Sequence, residues 1–173
     1  DISVPSSAVN ELSLTMPVLL DEKQAREALP ERPLHGHKGT FGHCLVIGGC
    51  VNYVGASQYT AKSAFQTGVG LVTLAVPNDI YPIVASQCPE CLLLPLRSQD
   101  GSFCGDALAE VDFSPFKAVA FGPGIGRHTD GKQLLRAIFS KCTTQTIVID
   151  ADGLYFYKQL LDEGTVYKGG PII

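Results

Sequence analysis

Three loops carry the residues of this chain that could hold a ligand. Residues 48–56 and 122–126 are rich in glycine, and residues 150–153 read Asp-Ala-Asp-Gly. Glycine lets a ligand approach the main chain closely and allows positive φ, so a glycine turn that leads into a helix can present backbone N–H groups to a phosphate. Carboxylates suit ribose hydroxyls or a metal–phosphate partner. These residue types predict a site for a phosphate-bearing ligand, although glycine in such a turn can also serve the chain reversal alone.

Strands and helices alternate along the chain and must position these loops. Short apolar runs predict strands at residues 44–47, 70–76, 92–96, 118–121 and 146–149. Helical spacing predicts helices at residues 55–68, 80–86, 131–140 and 154–161, with a short one near 106–111. Apolar strands that alternate with helices are typical of parallel sheets buried on both faces. We therefore predict an α/β fold with a doubly wound, mostly parallel sheet flanked by helices.

The predicted sheet brings the loops together, because all three follow strands. Ligands of such sheets bind outside the carboxyl ends of the strands, where the strand order reverses. We therefore expect residues 48–56 and 122–126 to line one cleft, with Asp152 on its rim. Asp150 has a simpler alternative role, since its carboxylate could cap the helix that follows.

The remaining segments are less regular. Residues 1–20 have little charge and no sustained period, which favours a linker or an arm, and Asp21 has the position of an N-cap for a short helix ended by Pro30. Residues 97–105 are predicted to form a polar turn. The final Pro171-Ile172-Ile173 is typical of the beginning of a buried strand. Because the first residue is Asp1 and the last is in an unfinished strand, we expect both ends to be cut.

Composition excludes several classes of protein. With 45% hydrophobic and 17% charged residues among 173, the chain can bury a core of ordinary domain size. The net charge is −4 and no basic run exceeds two residues, so we expect no nucleic-acid partner. The apolar runs are too short for a bilayer, and the N terminus lacks a signal-peptide pattern. These features predict a soluble, cytoplasmic protein without a membrane partner.

Six cysteines are present, and we expect them to be reduced and mostly buried. Cys88 and Cys91 have the spacing of a zinc-ligand pair, but no second pair follows at a suitable distance. Chance spacing is the preferred interpretation, and no metal ligand is assigned.

Well-known nucleotide and hydrolase motifs are missing. The turn after the first strand, Gly48-Gly49-Cys50, lacks the third glycine of a dinucleotide-binding fingerprint. The sequence contains neither the Gly-Lys-Ser/Thr of a P-loop nor a Gly-x-Ser-x-Gly elbow. A Rossmann oxidoreductase, a P-loop enzyme and a simple serine hydrolase are therefore all disfavoured.

Six motifs, in order, resemble those of the NAD(P)H-hydrate dehydratases, which are ribokinase-like enzymes that use ADP or ATP to repair hydrated nicotinamide cofactors. The resemblance covers about residues 22–173. The motifs are His37-Lys38-Gly39-Thr40-Phe41-Gly42, Gly48-Gly49, Tyr53-Val54-Gly55-Ala56, Gly68-Val69-Gly70-Leu71-Val72, Gly122-Pro123-Gly124-Ile125-Gly126 and Asp150-Ala151-Asp152-Gly153-Leu154. The opening Asp1-Ile2-Ser3-Val4-Pro5 resembles the exit of the epimerase domain in bifunctional members of the family.

This resemblance implies a function and a set of ligand-binding residues. The implied reaction is the dehydration of the S form of hydrated NADH or NADPH, with ADP or ATP and Mg²⁺ as cofactors. Ala56 and Gly126 are then expected to contact the hydrated nucleotide. Tyr53, Gly55 and Gly124 would lie beside them, and Asp152 would face the same cleft. For His37 and Lys38, a solvated loop is preferred over direct ligation.

The sequence also departs from the family pattern. The family has a Thr-Pro-His-Pro-Gly-Glu loop and a later Gly-x-Gly-Asp motif with the expected catalytic aspartate, and neither is present in this sequence. The resemblance therefore implies that residues 21–173 are the N-terminal part of a dehydratase domain, with no catalytic residue in this chain. Tyr155 stands where family members often have asparagine.

The sequence is also compatible with other functions and assemblies. The chain could be a ribokinase-like kinase for a small alcohol, which would leave a stable phosphoester as its product. It could also be a non-catalytic domain that only binds the cofactor. We expect a homo-oligomer, or association with the missing remainder of the domain, because an uncovered strand edge offers unpaired backbone groups.

Overall fold

The computed structural model describes residues 21–128 and 130–173. These residues fall into two compact units, which divide between Leu34 and His35. The predicted arm, residues 1–20, lies outside the described residues. In the first unit, helix α1 (Glu22–Ala28) is capped as predicted by Asp21, whose carboxylate accepts from the Gln24 amide at 2.8 Å. The Gln24 side chain returns a bond to the Asp21 amide and completes a capping box.

The second unit alternates strands and helices close to the predicted bounds. Its elements are β1 (His43–Ile47), α2 (Val54–Gln66), β2 (Leu71–Pro77), a 3₁₀ turn (Asn78–Ile80), α3 (Tyr81–Gln87), β3 (Leu92–Leu96), β4 (Ser98–Gln99), β5 (Ser102–Phe103), β6 (Ala118–Phe121), α4 (Gly131–Lys141), β7 (Thr146–Ile149) and α5 (Asp152–Asp162). The five apolar runs predicted to be strands are all strands in the structure, as expected for short and predominantly apolar segments.

Five parallel strands form the main sheet in the order β3-β2-β1-β6-β7. From β1 the chain first builds outward through β2 and β3, and then returns to add β6 and β7 on the opposite side. The strand order therefore reverses between β1 and β6. The predicted doubly wound parallel sheet is confirmed.

Two hydrophobic cores cover the two faces of this sheet. On one face, Leu45 and Ile47 of β1 pack in a core that includes Leu134 of α4 and Phe156 of α5. On the other face, Val46 of β1 packs in a core that also contains residues of α2 and α3. Successive residues of a strand point to opposite faces, so β1 belongs to both cores and its apolar run has no polar position.

Residues 97–105 form a β-hairpin rather than the predicted polar turn. Strands β4 and β5 pair antiparallel around Asp100 and Gly101, which both have positive φ, at 52° and 75°. Two central residues with positive φ are typical of the type I′ turn, for which Asp-Gly is a preferred sequence.

The short helix predicted near residues 106–111 is wrong. This segment consists of hydrogen-bonded turns in which the amides of Ala107, Ala109 and Val111 each bond three residues back. The Lys141 ammonium group donates hydrogen bonds to the carbonyls of Ala109 and Val111. In a longer helix, these carbonyls would instead accept from backbone amides of the following turn.

The chain end pairs with the sheet and is only partly buried. Ile172 forms a parallel bridge to Ile147 of β7, and the Ile147 amide donates to the Pro171 carbonyl at 2.8 Å. The extended conformation was therefore predicted correctly. The expected burial holds only in part, because Ile172 is half-buried against the core whereas Ile173 is 74% exposed.

The cysteines are free thiols, as predicted. Four of them are buried, and Cys44 and Cys104 are half-buried. Among the described residues, no helix has the length and apolarity that crossing a membrane requires.

Two histidines should make stability fall in weak acid. Burial lowers the pKa of His43 and of His128 below the usual 6.5. The unfolded chain therefore binds more protons than the folded chain as the pH falls through 6.5, and protonation favours unfolding. We expect the free energy of unfolding to drop from about pH 7.5 to about pH 5.5. Urea titrations at both values would measure it.

His43→Gln should reduce this pH dependence, because it removes one of the two shifted groups. The matched control is His35→Gln, at an exposed position of the same unit. An equal pH slope in all three proteins would contradict the assignment to His43.

Candidate functional site

The two glycine loops meet where the strand order reverses. Residues 48–53 follow β1 and residues 122–126 follow β6, and these strands are neighbours in the sheet. The Gly49 amide donates to the Pro123 carbonyl at 2.9 Å. A Cβ on Gly48 would lie 2.3 Å from the same carbonyl oxygen, so only glycine fits there. The predicted convergence of the two loops at one edge of the sheet is therefore confirmed.

Helix α2 begins at this junction without a side-chain cap. Its N-cap residue is Tyr53, and no side chain among the described residues accepts a capping hydrogen bond from the first amides of the helix. The first amides of a helix lack intrahelical partners and carry a partial positive charge. The second glycine loop lies directly against this helix start, since a Cβ on Gly124 would be 2.7 Å from the Tyr53 carbonyl oxygen and 2.8 Å from the Ala56 Cβ. The start of α2 and the two glycine loops are thus in direct contact and form a single site.

Several of the predicted residues leave open space at this junction. A Cβ on Gly55 would meet only the Tyr59 ring, at 3.7 Å, and one on Gly126 would meet only Cys50 Sγ at 3.5 Å and His128 Cδ2 at 4.0 Å. Tyr53 is 55% exposed. These positions therefore face accessible space, whereas Gly48 and Gly124 are enclosed.

Ser57 is a buried hydroxyl on the same helix turn. It has no exposed surface, and its Oγ has no hydrogen-bond partner among the described residues. The hydroxyl lies against Gly49, whose added Cβ would be 2.9 Å from it. Buried polar groups usually have hydrogen-bond partners. The Ser57 hydroxyl, which lies directly beneath the glycine turn, is an exception to this rule.

The third loop, residues 150–153, packs against the second. A Cβ on Gly122 would lie 2.1 Å from the Asp150 carbonyl oxygen and 2.6 Å from the Gly153 amide. The suggested side-chain cap by Asp150 is wrong: the N-cap of α5 is Ala151, and no side chain caps it. Instead, the backbone carbonyl of Asp150 accepts a hydrogen bond from the Gly153 amide at 2.9 Å.

Ala151 has a strained backbone, with φ 50° and ψ −127°. Such a conformation is ordinary for glycine and costs other residues of the order of 1–3 kcal/mol. Ala151→Gly should therefore raise the free energy of unfolding by about 1 kcal/mol, even though glycine makes the unfolded chain more flexible. Ala151→Val is the matched opposite and should lower it. A glycine variant less stable than the parent in urea unfolding would show that the strain is absent.

Asp152 is held by a neighbouring arginine. Its carboxylate accepts from Arg127 Nε at 2.9 Å, and the Arg127 guanidinium lies 5.0 Å above the centre of the Tyr155 ring. Asp152 is also in the first turn of α5, where a negative charge is favourable. Asp152, which was predicted to face the ligand, thus holds Arg127 next to Gly126, and the Tyr155 ring packs against the guanidinium of the same arginine.

The β4–β5 hairpin walls one side of the site. Its Gly101 carbonyl accepts from the Val51 amide at 2.9 Å, and its Gly101 amide donates to Asp79 Oδ2 at 2.9 Å. A cavity of about 310 Å³ separates the hairpin from the chain after Gly126. It is lined by Gln99, Asp100, Ser102, Phe103, His128 and Asp130.

His128 also borders a second cavity, of about 290 Å³, together with Arg127, Lys132, Tyr155, Phe156 and Gln159. The His128 Nδ1 accepts from the Asp130 amide at 3.3 Å, which places any proton of the neutral ring on Nε2. Burial lowers the pKa of His128, against the opposing effects of the Asp130 charge and the Ile125 carbonyl. Burial therefore favours the neutral form of the ring, which lies between the two cavities.

His37 and Lys38 lie at the amino end of the sheet, away from this site. His37 Nδ1 accepts from the Gly39 amide at 3.1 Å, and the Lys38 carbonyl packs on Gly70, just before β2. Both residues are exposed, as the preferred solvated-loop interpretation expected. A cavity of about 430 Å³ near Gln145 also lies at the amino ends of β6 and β7, so its size does not make it the candidate site.

The structure brings together Tyr53, Gly55, Ala56, Gly124 and Gly126, with Asp152 joined to them through Arg127. Their roles in ligand binding stay predictions. Sequence reasoning missed Arg127, His128 and the hairpin. The signal for the hairpin was present in Asp100-Gly101, whereas nothing in the spacing of Arg127 and Asp152 indicates that they pair.

Comparison with known proteins identifies the family. The family model described as NAD(P)H-hydrate dehydratase matches residues 44–173. The chain is 33% identical over 166 residues to the bifunctional NAD(P)H-hydrate repair enzyme Nnr of Dictyoglomus turgidum, a match covering 94% of this chain and 32% of that enzyme. The chain thus spans about a third of the length of this relative.

Two solved structures share the fold. A ribokinase-like superfamily protein from Enterococcus faecalis superposes with a TM-score of 0.69 at 21% identity, covering 81% of this chain and 47% of that one. The ADP/ATP-dependent NAD(P)H-hydrate dehydratase of Bacillus subtilis, co-crystallised with ATP and Mg²⁺, gives a TM-score of 0.69 at 23% identity. This match covers 88% of this chain and 50% of the Bacillus chain. The predicted ribokinase-like fold is confirmed, and the chain belongs to the NAD(P)H-hydrate dehydratase family.

Proposed function

We propose that this chain binds the S form of hydrated NADH or NADPH and contributes that site to an ADP- or ATP-dependent dehydration that restores the normal cofactor. The observation that carries the proposal is the uncapped start of α2, enclosed by two glycine loops at the reversal of the strand order. Parallel sheets bind nucleotides at such points. The relatives' names supply the chemistry of the ligand.

The residues of the site suit a dinucleotide hydrate. The first amides of α2 can donate to a pyrophosphate, whose negative charge the helix start favours. Gly55 and Gly126 leave the approach open, because a Cβ at either position would meet no backbone atom. Arg127 adds a cation beside Gly126, and its guanidinium is kept in place by Asp152 and Tyr155.

The implied cofactors fit this chain only in part. ADP or ATP with Mg²⁺ supplies the phosphoryl group that turns the hydrate hydroxyl into a leaving group. In residues 21–128 and 130–173, no three His, Cys, Asp or Glu side chains converge as metal ligands would. We therefore assign Mg²⁺ no residue of the described chain, and we propose binding and orientation of the hydrate as the role of these residues.

The first experiment is a direct binding measurement on the 173-residue chain. Calorimetry with the S form of NADH hydrate should give binding, and Gly55→Ala should weaken it. This variant is informative because Gly55 is exposed, has open space around it and lies in a helix, where alanine is tolerated or slightly stabilising. Unchanged affinity in a folded Gly55→Ala variant would place the ligand elsewhere.

The second experiment tests the reaction. Residues 44–173 of this chain replace the matching segment of the Dictyoglomus enzyme, and the chimera is given S-NADH hydrate with ADP or ATP and Mg²⁺. Recovery of the absorbance of NADH is the expected result. A stable phosphoester would instead support the small-molecule kinase, and binding without turnover would support the non-catalytic binding domain.

Assembly and location stay predictions. Size-exclusion chromatography with light scattering on the purified chain would test the expected homo-oligomer. Imaging of the tagged protein in cells would test the cytoplasmic location.

A further inference from the structure

Two cysteines face each other outside the candidate site. Cys88 ends α3 as its C-cap, and Cys91 directly precedes β3. The Cys91 amide donates to the Cys88 carbonyl at 3.2 Å and closes a four-residue turn. Within this turn the two Sγ atoms are 2.9 Å apart. A disulfide needs a separation of about 2.05 Å, so the sulfurs have less than an ångström to travel.

The surroundings of the pair decide which chemistry it can do. Cys88 is fully buried and Cys91 is 8% exposed, both in the core beneath α2 and α3. Zinc would require further ligands, and the part of the chain that the structure describes holds no third His, Cys, Asp or Glu near enough to them. Pro89 and Glu90, between the cysteines, are exposed, so the turn can adjust without repacking the core.

We propose that Cys88 and Cys91 form a reversible disulfide when the protein meets a small-molecule disulfide such as oxidised glutathione. Cys91, the more exposed of the two residues, attacks one sulfur of the oxidant through its thiolate and expels the first small thiol. Cys88 then attacks Cys91 Sγ in the mixed disulfide and expels the second. Two electrons pass to the oxidant, and the two thiol protons of the protein end on the two released thiols.

The exchange should be slow at neutral pH and faster in base. Burial raises the pKa of Cys91 to about 12, with further increases from Cys88 and Glu90 and an opposing effect from Lys62. The thiolate is the attacking species, so its fraction and the exchange rate should rise with pH between about pH 7 and pH 9. Such a pair would respond to sustained oxidation rather than to a brief pulse.

The test uses the complete 173-residue chain with oxidised glutathione, followed by an acid quench, maleimide labelling under denaturing conditions and peptide mass analysis. The peptide with Cys88 and Cys91 should lose the mass of two hydrogen atoms and stop taking maleimide. Dithiothreitol should restore both. The thiols of Cys44, Cys50, Cys104 and Cys142 should still be labelled.

Two variants separate the proposal from nonspecific oxidation. In Cys88→Ser the reaction should stop at a glutathione adduct on Cys91, whereas Cys142→Ser, a buried cysteine elsewhere, should behave like the parent. The proposal is overturned if the parent also stops at the adduct. It is equally overturned if both cysteines stay reduced under conditions that oxidise any of the other four.

Discussion

Gly122→Ala should be among the most destabilising single substitutions in this chain, with a loss of at least about 3 kcal/mol in the free energy of unfolding. Gly122 has φ 122°, which alanine rarely adopts. Its Cβ would also lie 2.1 Å from the Asp150 carbonyl oxygen and 2.6 Å from the Gly153 amide. Both are backbone atoms, so no side-chain rotation can relieve the contact. Urea unfolding at constant m-value would measure the loss.

Gly164→Ala is the matched control. Gly164 has φ 75° but nothing within 4 Å of an added Cβ, so alanine there meets only the backbone strain. Its expected cost is about 1–2 kcal/mol. If the two variants lose equal free energy of unfolding, the close contact between the second and third loops contributes nothing to the cost at Gly122.

Gly126→Val should lower the affinity for the dinucleotide hydrate by about 100-fold. An added Cβ at Gly126 would meet only Cys50 Sγ and His128 Cδ2, at ordinary contact distances. The Cβ of a valine therefore has room at this position, and the rest of its side chain would extend into the space that the proposed ligand needs. Calorimetry on the folded variant, with the S form of NADH hydrate, would measure the change.

This substitution also has a cost in stability, because Gly126 has φ 76°. Gly164→Val carries the same kind of strain at φ 75° without neighbours, and it should lose a similar free energy of unfolding while keeping full affinity. A Gly126→Val protein with unchanged affinity and a much larger loss of stability than this control would make Gly126 a purely structural glycine.

The strands and the position of the site could be predicted from the sequence, because their causes are local. A run such as Leu45-Val46-Ile47 has no polar residue, so it fits only a position buried on both faces. Glycine after such a run signals a turn with close backbone approach. Together with the rule for parallel sheets, these two local signals are enough to bring residues 48–56 and 122–126 to one edge.

The rest depends on contacts between distant residues. The turns at 106–111 depend on Lys141, which takes the carbonyls of Ala109 and Val111 from thirty or more residues away in the chain. The Arg127–Asp152 pair depends on how β6 and β7 align, which no local pattern encodes. Ala151 adopts a conformation that its own residue type disfavours, so only the surrounding packing can explain it. The hairpin differs from these cases, since its Asp-Gly signal was local and was overlooked.

The central place of β1 has a consequence for biosynthesis. β2 pairs with one edge of β1 soon after it is made, but the strand for the other edge, β6, begins only after the 70 residues that separate Ile47 from Ala118. At ribosomal rates of about 5–20 residues per second, that edge stays unpaired for roughly 4–14 s. An apolar strand with free backbone groups can recruit other chains during this interval. We therefore expect the yield of folded protein to respond to chaperone supply and translation speed more than to substitutions at the exposed surface.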